Sequence, residues 1–241
     1  MFFSIITINY NNATGLKKTI ESVVSQSNKD FEYIVIDGAS SDQSGKVIEY
    51  FNNIIFTYIS EPDQGVYDAM NKGWKRARGK FVLFLNSGDV FADSDVLENA
   101  RKLIVSTAEI VYGCHLWGSK EGERWNPKKD FKFREILSHT PISHQATFIN
   151  KSQLEKVGGF KTNFKIIADW GVLIDSMRMG ARLQKISLDI CIAEDAGVSN
   201  VTEKEVMSER RLYLIRHHFI AFFLNKYVVL PLISLRKKML G

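Results

Sequence analysis

Two stretches end apolar runs in carboxylates. The segment 81-FVLFLNSGDVF-91 passes from uninterrupted apolar residues into Asn86-Ser87-Gly88-Asp89, and 31-FEYIVIDGASSDQS-44 delivers Asp37 in the same way. Carboxylates at the ends of two strands suit a phosphorylated ligand: one hydrogen-bonds a base or ribose while the other holds Mg²⁺ or Mn²⁺ against phosphate oxygens. Asp is also common in turns and caps for backbone hydrogen bonding alone, and either residue taken singly fits that reading equally well. Two more polar clusters, Asn9-Tyr10-Asn11 and Glu61-Pro62-Asp63-Gln64-Gly65, follow other strand-like runs. The first run leads into Asn9-Tyr10-Asn11-Asn12-Ala13-Thr14-Gly15, which has no Gly-rich phosphate loop. That argues against a dehydrogenase, and a phosphate here needs a metal or side chains to neutralise it.

The elements that must position these residues are legible in the periodicity. Phe3 to Ile8 and Phe31 to Ile36 read as strands, and Leu16, Ile20, Val23 and Val24 between them recur at helical spacing. Val47, Ile48 and Phe51 predict a short helix, and Ile54 to Ile59 a third strand. Val66, Ala69, Met70, Gly73, Trp74 and Ala77 form one helical stripe. The run from Phe81 reads as a strand buried on both faces, as in a parallel sheet covered by helices on both sides. Repeated βα alternation predicts a doubly wound, mainly parallel α/β sheet, whose ligands bind beyond the carboxyl ends of the strands. All four polar clusters then line one edge, with Asp37 and Asp89 approaching one another across it.

Beyond Asp89 the pattern weakens. Ile110 to Cys114 and Gln145 to Ile149 read as strands, Trp117 to Asp130 as loop, Lys151 to Val157 and Asp169 to Met179 as helices, and Leu183 to Ala193 as extended chain. Trp117 and Trp125 could stack on a sugar ring or serve as core. The chain has 241 residues, net charge +5 and two cysteines, Cys114 and Cys191, which read as core thiols in a reducing compartment. The first residues enter a strand pattern directly, so no secretory signal is expected.

Five blocks in series, 4-SIITINYNN-12, 31-FEYIVIDGASSDQS-44, 65-GVYDAMNKGWKRARGKFVLFLNSGD-89, 144-HQATFINKSQLEKVGGF-160 and 168-ADW-170, resemble the family-2 glycosyltransferases of the A-type fold over about the first 200 residues. The resemblance implies a nucleotide-diphospho-sugar transferase fold and a metal-assisted, inverting transfer from a nucleoside-diphosphate sugar. It places Asp37 on the nucleotide, although Gly38 stands where many members carry a second aspartate. Thr7 and Asn9 match positions that touch the nucleoside; Asp68 and Asn71 match positions facing the donor, or lie on a solvated helix face. The family's Asp-any-Asp metal triplet reads Asn86-Ser87-Gly88 here, with Asp89 one place later. Asp89 is then expected to reach the divalent metal, Mn²⁺ or Mg²⁺, through the diphosphate, while Asn86 and Ser87 contact the donor. A missing carboxylate weakens cation binding. Asp169 matches the general base that takes the acceptor hydroxyl proton; a carboxylate at a helix start is also favoured by the macrodipole alone. His144 and Trp170 match the acceptor side.

The resemblance ends near residue 203, and residues 204–241 form a separate basic tail, predicted to be helical and interrupted at Pro231. Residues 212–240 mix aromatic, aliphatic and basic side chains in a way that suits an amphipathic helix on an anionic membrane surface better than nucleic acid; packing back on the catalytic domain is the alternative. These features predict a cytoplasmic enzyme, peripheral at the inner face of the membrane, which glycosylates a hydroxyl of a lipid-linked or other surface glycan. A catalytically weak sugar-nucleotide binder or membrane scaffold of the same fold is the alternative, and a metal-dependent nucleotidyltransferase is a third reading.

Overall fold

The computed structural model describes residues 1–55, 57–137, 141–194 and 201–218. The first half alternates as expected: β1 (Phe3–Asn9), α1 (Ala13–Val24), β2 (Phe31–Asp37), α2 (Ser44–Tyr50), β3 (Thr57–Ser60), α3 (Val66–Arg76) and β4 (Phe81–Phe84). The third strand begins later than expected, because residues 51–54 form a turn after α2. The second half contains β5 (Val90–Phe91), α4 (Val96–Leu103), β6 (Ile110–Trp117), β7 (Arg124–Trp125), α5 (Phe133–Ile136), β8 (Thr147–Asn150), α6 (Lys151–Val157), α7 (Ala168–Arg178), β9 (Leu183–Ala193) and α8 (Glu203–His217). A single 3₁₀ turn, His144–Ala146, precedes β8 where continuous strand was expected.

The strands form one sheet in the order β3-β2-β1-β4-β8-β6-β9-β5, with β7 paired to β6. The β3-β2-β1-β4 block is parallel. At β8 the direction reverses: β8 is antiparallel to both β4 and β6, whereas β6 and β9 are parallel and β5 runs against β9. The sheet is thus parallel in its first half and mixed in its second.

Alternate strand residues feed two cores, as the pleat requires. Ile6, Ile8, Ile34 and Ile36 pack with Met70 and Trp74 of α3 and with α6 and α7. Phe3, Ile5, Tyr33 and Val35 pack with Leu16 and Ile20 of α1 and with α4. Gly73 lets α3 lie directly on β1, since a Cβ there would sit 2.5 Å from Ile6 Cγ2. Cys114 and Cys191 are both buried free thiols.

The start of the predicted tail, α8, packs on α7 through buried Arg210, Tyr213 and Leu214. The Tyr213 hydroxyl donates to Asp175 Oδ2 at 2.8 Å, and His218 Nε2 lies 2.7 Å from Asp175 Oδ1. Most of the segment expected to bind a membrane, residues 219–240, lies outside the described residues.

Candidate active site

The carboxyl ends of β1, β2, β3 and β4 meet on one edge. Asn9 is the link among them. Its Nδ2 donates to Asp37 Oδ1 at 2.8 Å and to Ser44 Oγ at 2.9 Å, while its Oδ1 accepts from Ser87 Oγ at 2.8 Å. Because β1 lies between β2 and β4, Asn9, bonded to both Asp37 and Ser87, stands between Asp37 and the end of β4.

Asp37 is buried, and its carboxylate also accepts from Ser40 N, Ser40 Oγ and Ser60 Oγ at 2.9, 2.5 and 2.8 Å. Burial pushes its carboxyl up, but the bonds from Ser40, Asn9 and Ser60 outweigh burial and leave it below the usual carboxylate range. These donors occupy the roughly four acceptor positions of a carboxylate. Asp37 thus ties the ends of β1, β2 and β3 together.

Two adjoining cavities open along this edge. One of about 290 Å³ is lined by Asn9, Tyr10, Asn12, Asp63, Asn86 and Ser87. The other, about 570 Å³, shares Asn12, Asn86 and Ser87 and adds Asp89, Trp117, His144, Asp169 and Glu194. Besides Asp37, three residues expected to face the donor line neither cavity. Thr7 is fully buried, donating to Leu85 O and accepting from Tyr33. Asp68 accepts from Gln64 N and pairs with Lys72 at the start of α3. Asn71 joins α3 to the chain after α6, through Phe160 O and N at 2.7 and 2.9 Å.

Asp89 lies at the wall of the larger cavity, 6% exposed. Its Oδ1 accepts from Glu194 N at 3.0 Å, and burial pushes its carboxyl up to about 6. Gly88 has φ +106°, and a Cβ there would collide with Glu194 Oε2. Glu194, carried just past the end of β9, thus fills the space where a side chain at position 88 would stand. Among the described residues no group of three or more His, Cys, Asp or Glu side chains forms a metal cluster.

Asp169 opens α7. Its Oδ1 accepts from Trp170 N at 2.8 Å and from the Tyr67 hydroxyl at 3.1 Å, and its Oδ2 lies 3.2 Å from His144 Nδ1. Burial pushes its carboxyl up, but His144, Trp170 N–H and Tyr67 together hold it below the usual range. The Trp170 ring is buried, donates to Ile136 O at 2.7 Å and faces the core instead of the larger cavity. The backbone before Asp169 is fixed by Glu209 of α8, whose carboxylate accepts from Lys165 N and Ile166 N at 2.9 Å each. Tyr67 and Glu194 escaped the sequence reading. A carboxylate just past the extended run ending at Ala193 was the available signal for Glu194.

The chain belongs to the family described as Glycosyl transferase family 2, which matches residues 4–182. Among relatives, it is 36% identical over 176 residues to an uncharacterized glycosyltransferase of Mycobacterium tuberculosis, covering 69% of this chain and 65% of that protein. It is 29% identical over 214 residues to a PGL/p-HBAD biosynthesis glycosyltransferase of Mycobacterium bovis, covering 85% and 82% respectively. S. aureus TarS in complex with UDP-GlcNAc shares the fold, with TM-score 0.73, 20% identity and coverage of 93% of this chain and 67% of that one. The mannosyltransferase PcManGT from Pyrobaculum calidifontis, solved with GDP-Man and Mn²⁺, gives TM-score 0.64 at 19% identity, covering 91% and 63%.

Proposed function

We propose that the chain transfers a sugar from a nucleoside-diphosphate donor to a hydroxyl of a glycan or lipid-linked glycan acceptor, with inversion at the anomeric carbon. The observation that carries this reading is the larger cavity, which Asp89 and Asp169 both line. The nucleoside occupies the smaller cavity, where the exposed Tyr10 ring supplies a stacking face and Asp63 and Asn9 supply polar contacts. The diphosphate lies along Asn86 and Ser87. Asp169 takes the proton of the acceptor hydroxyl as the new glycosidic bond forms and the diphosphate departs with the old bond's electrons. An anionic carboxylate suits that task, and its hydrogen bonds keep Asp169 ionised.

The resemblance implies a divalent cation, and PcManGT was solved with Mn²⁺. The donor set here fits one: Asp89 and Glu194 offer hard carboxylate oxygens, and Mg²⁺ or Mn²⁺ is commonly held by one or two carboxylates plus substrate phosphates. A bound cation would offset the charge of the departing diphosphate. No helix among the described residues is long and apolar enough to cross a membrane. We place the enzyme at the inner face of the cell membrane through its basic C-terminal segment, where the outward face of α8 carries Met207, Arg211, Leu212 and Ile215.

The test is a thermal-shift screen of UDP- and GDP-sugars with and without Mn²⁺, since a ligand of the folded state raises its melting temperature. It is followed by product analysis with wild type and Asp169→Asn. The reading requires that Asp169→Asn binds donor and fails to transfer; unchanged turnover removes Asp169 from the mechanism. Pyrophosphate released from a nucleoside triphosphate would identify a nucleotidyltransferase instead.

A further inference from the structure

His144 joins the two halves of the site. Its Nδ1 lies 3.2 Å from Asp169 Oδ2 and its Nε2 lies 3.3 Å from Asn86 Nδ2. The two partners have opposite requirements. An ionised carboxylate only accepts, so Nδ1 must carry the proton, while an amide NH₂ only donates, so Nε2 must present its lone pair. Together they select one form of the ring.

Resting on the reading of Asp169 as the base, we propose that His144 is a positioning residue, held by Asn86 as the Nδ1–H tautomer so that this N–H orients Asp169. An imidazolium at this distance would weaken Asp169 further as a base, because a cation beside a carboxylate favours the ionised form. Asn86 is thus more than a donor contact. An aspartate at that position would give the ring two acceptors and draw a second proton onto Nε2.

The other titratable groups around the ring include Tyr67, Asp89, Lys165 and Glu194, which line the same cavity, and His115 on β6. Burial takes the His115 ring down to about 4, so it adds no charge at neutral pH. The amide of Asn86 is the contact that selects the tautomer, and its carbonyl oxygen is buried with no hydrogen-bond partner among the described residues.

The test is the imidazole ¹⁵N spectrum of the full chain labelled with [¹⁵N]histidine at pH 8 without donor, with His144 assigned from the peaks lost in His144→Asn. Expected is a protonated-type Nδ1 and a lone-pair-type Nε2. Asn86→Asp should move both nitrogens toward the doubly protonated signature. A wild-type ring protonated on Nε2, alone or with Nδ1, overturns the proposal, as would an Asn86→Asp spectrum that matches wild type. Turnover with UDP-GlcNAc and GDP-mannose supplies the second arm. His144→Ala should lower kcat roughly 100-fold with donor KM unchanged, within the range of acid–base contributions, and His144→Asn, which keeps an N–H toward Asp169, should recover most of it. Equal loss in both variants overturns the positioning role. If Asp169→Asn retains turnover, the base assignment fails while the ¹⁵N pattern still decides the tautomer.

Discussion

Replacing Asp89 by Asn tests the most costly side chain in the site. Its carboxyl stands at about 6 against an ordinary 3.8 because it is taken out of water. A raised value means that the folded chain holds this proton more tightly than the unfolded chain. The contribution to stability is therefore fully present below pH 3.8 and lost as pH rises through about 6. The interval is worth roughly 3 kcal/mol, at about 1.4 kcal/mol for each pH unit. The substituted carboxamide would keep an acceptor for Glu194 N but bring an NH₂ that has to find its own partner, a fixed offset that does not vary with pH. The observable is thus the difference in unfolding free energy between wild type and Asp89→Asn, followed by urea denaturation across a pH series without metal. Wild type should lose about 3 kcal/mol relative to the variant between about pH 4 and pH 8. Mn²⁺ at pH 8 should restore wild type and leave the variant unmoved, with apparent metal affinity falling about tenfold per pH unit below the carboxyl's titration. A difference that stays within about 1 kcal/mol from pH 4 to 8 would refute the buried-carboxylate argument.

Other perturbations separate the remaining parts. Asp169 is held below the usual carboxylate range partly by His144, so the acid limb of the kcat profile should move toward neutral pH in His144→Ala. Gly88→Ala forces a side chain into a left-handed backbone and against Glu194; a loss of about 1–3 kcal/mol in urea unfolding and a weakened Mn²⁺ response are expected. Glu209→Ala removes both acceptors that fix the backbone before Asp169, and should lower kcat with donor KM unchanged in steady-state kinetics. Tyr10→Ala should raise donor KM and spare kcat, because the ring is solvent-exposed and lines the cavity proposed for the nucleoside.

The sequence carried the fold furthest where the sheet is parallel. Buried strands such as Ile5-Ile6-Thr7-Ile8 and the stripe from Val66 to Ala77 are strong periodic signals, and the polar clusters after them had to share an edge. Periodicity gave out beyond Asp89 because β5 and β7 are two residues each and α4 buries only Val96, Leu97 and Ala100. Side-chain direction was harder to read than position. Thr7 belongs to a β1 run buried at every residue, and Asn71 turns inward to the chain beyond α6, so neither reaches a cavity despite standing in motif positions. Asp37 was placed at the right strand end, but its neighbours Ser40, Ser60 and Asn9 consume its acceptors.

The reversal at β8 explains how one edge acquires both halves of the chemistry. β8 pairs antiparallel with β4, Phe81 opposite Asn150 and Val82 opposite Ile149, so the start of β8 lies beside the carboxyl end of β4. His144, just before β8, is thereby delivered next to Asn86, a contact that a parallel strand would have sent to the far edge. The same reversal makes β6 and β9 run with β4, and their ends bring Trp117 and Glu194 to the same cavity. A site built this way depends on strand direction rather than on loop length. Lengthening the connection between β7 and α5 should therefore leave the Asn86–His144 contact in place, whereas a substitution that slips β8 against β4 by one residue should break it and turn Phe148 out of its core. The ¹⁵N signature of His144 would report either outcome directly.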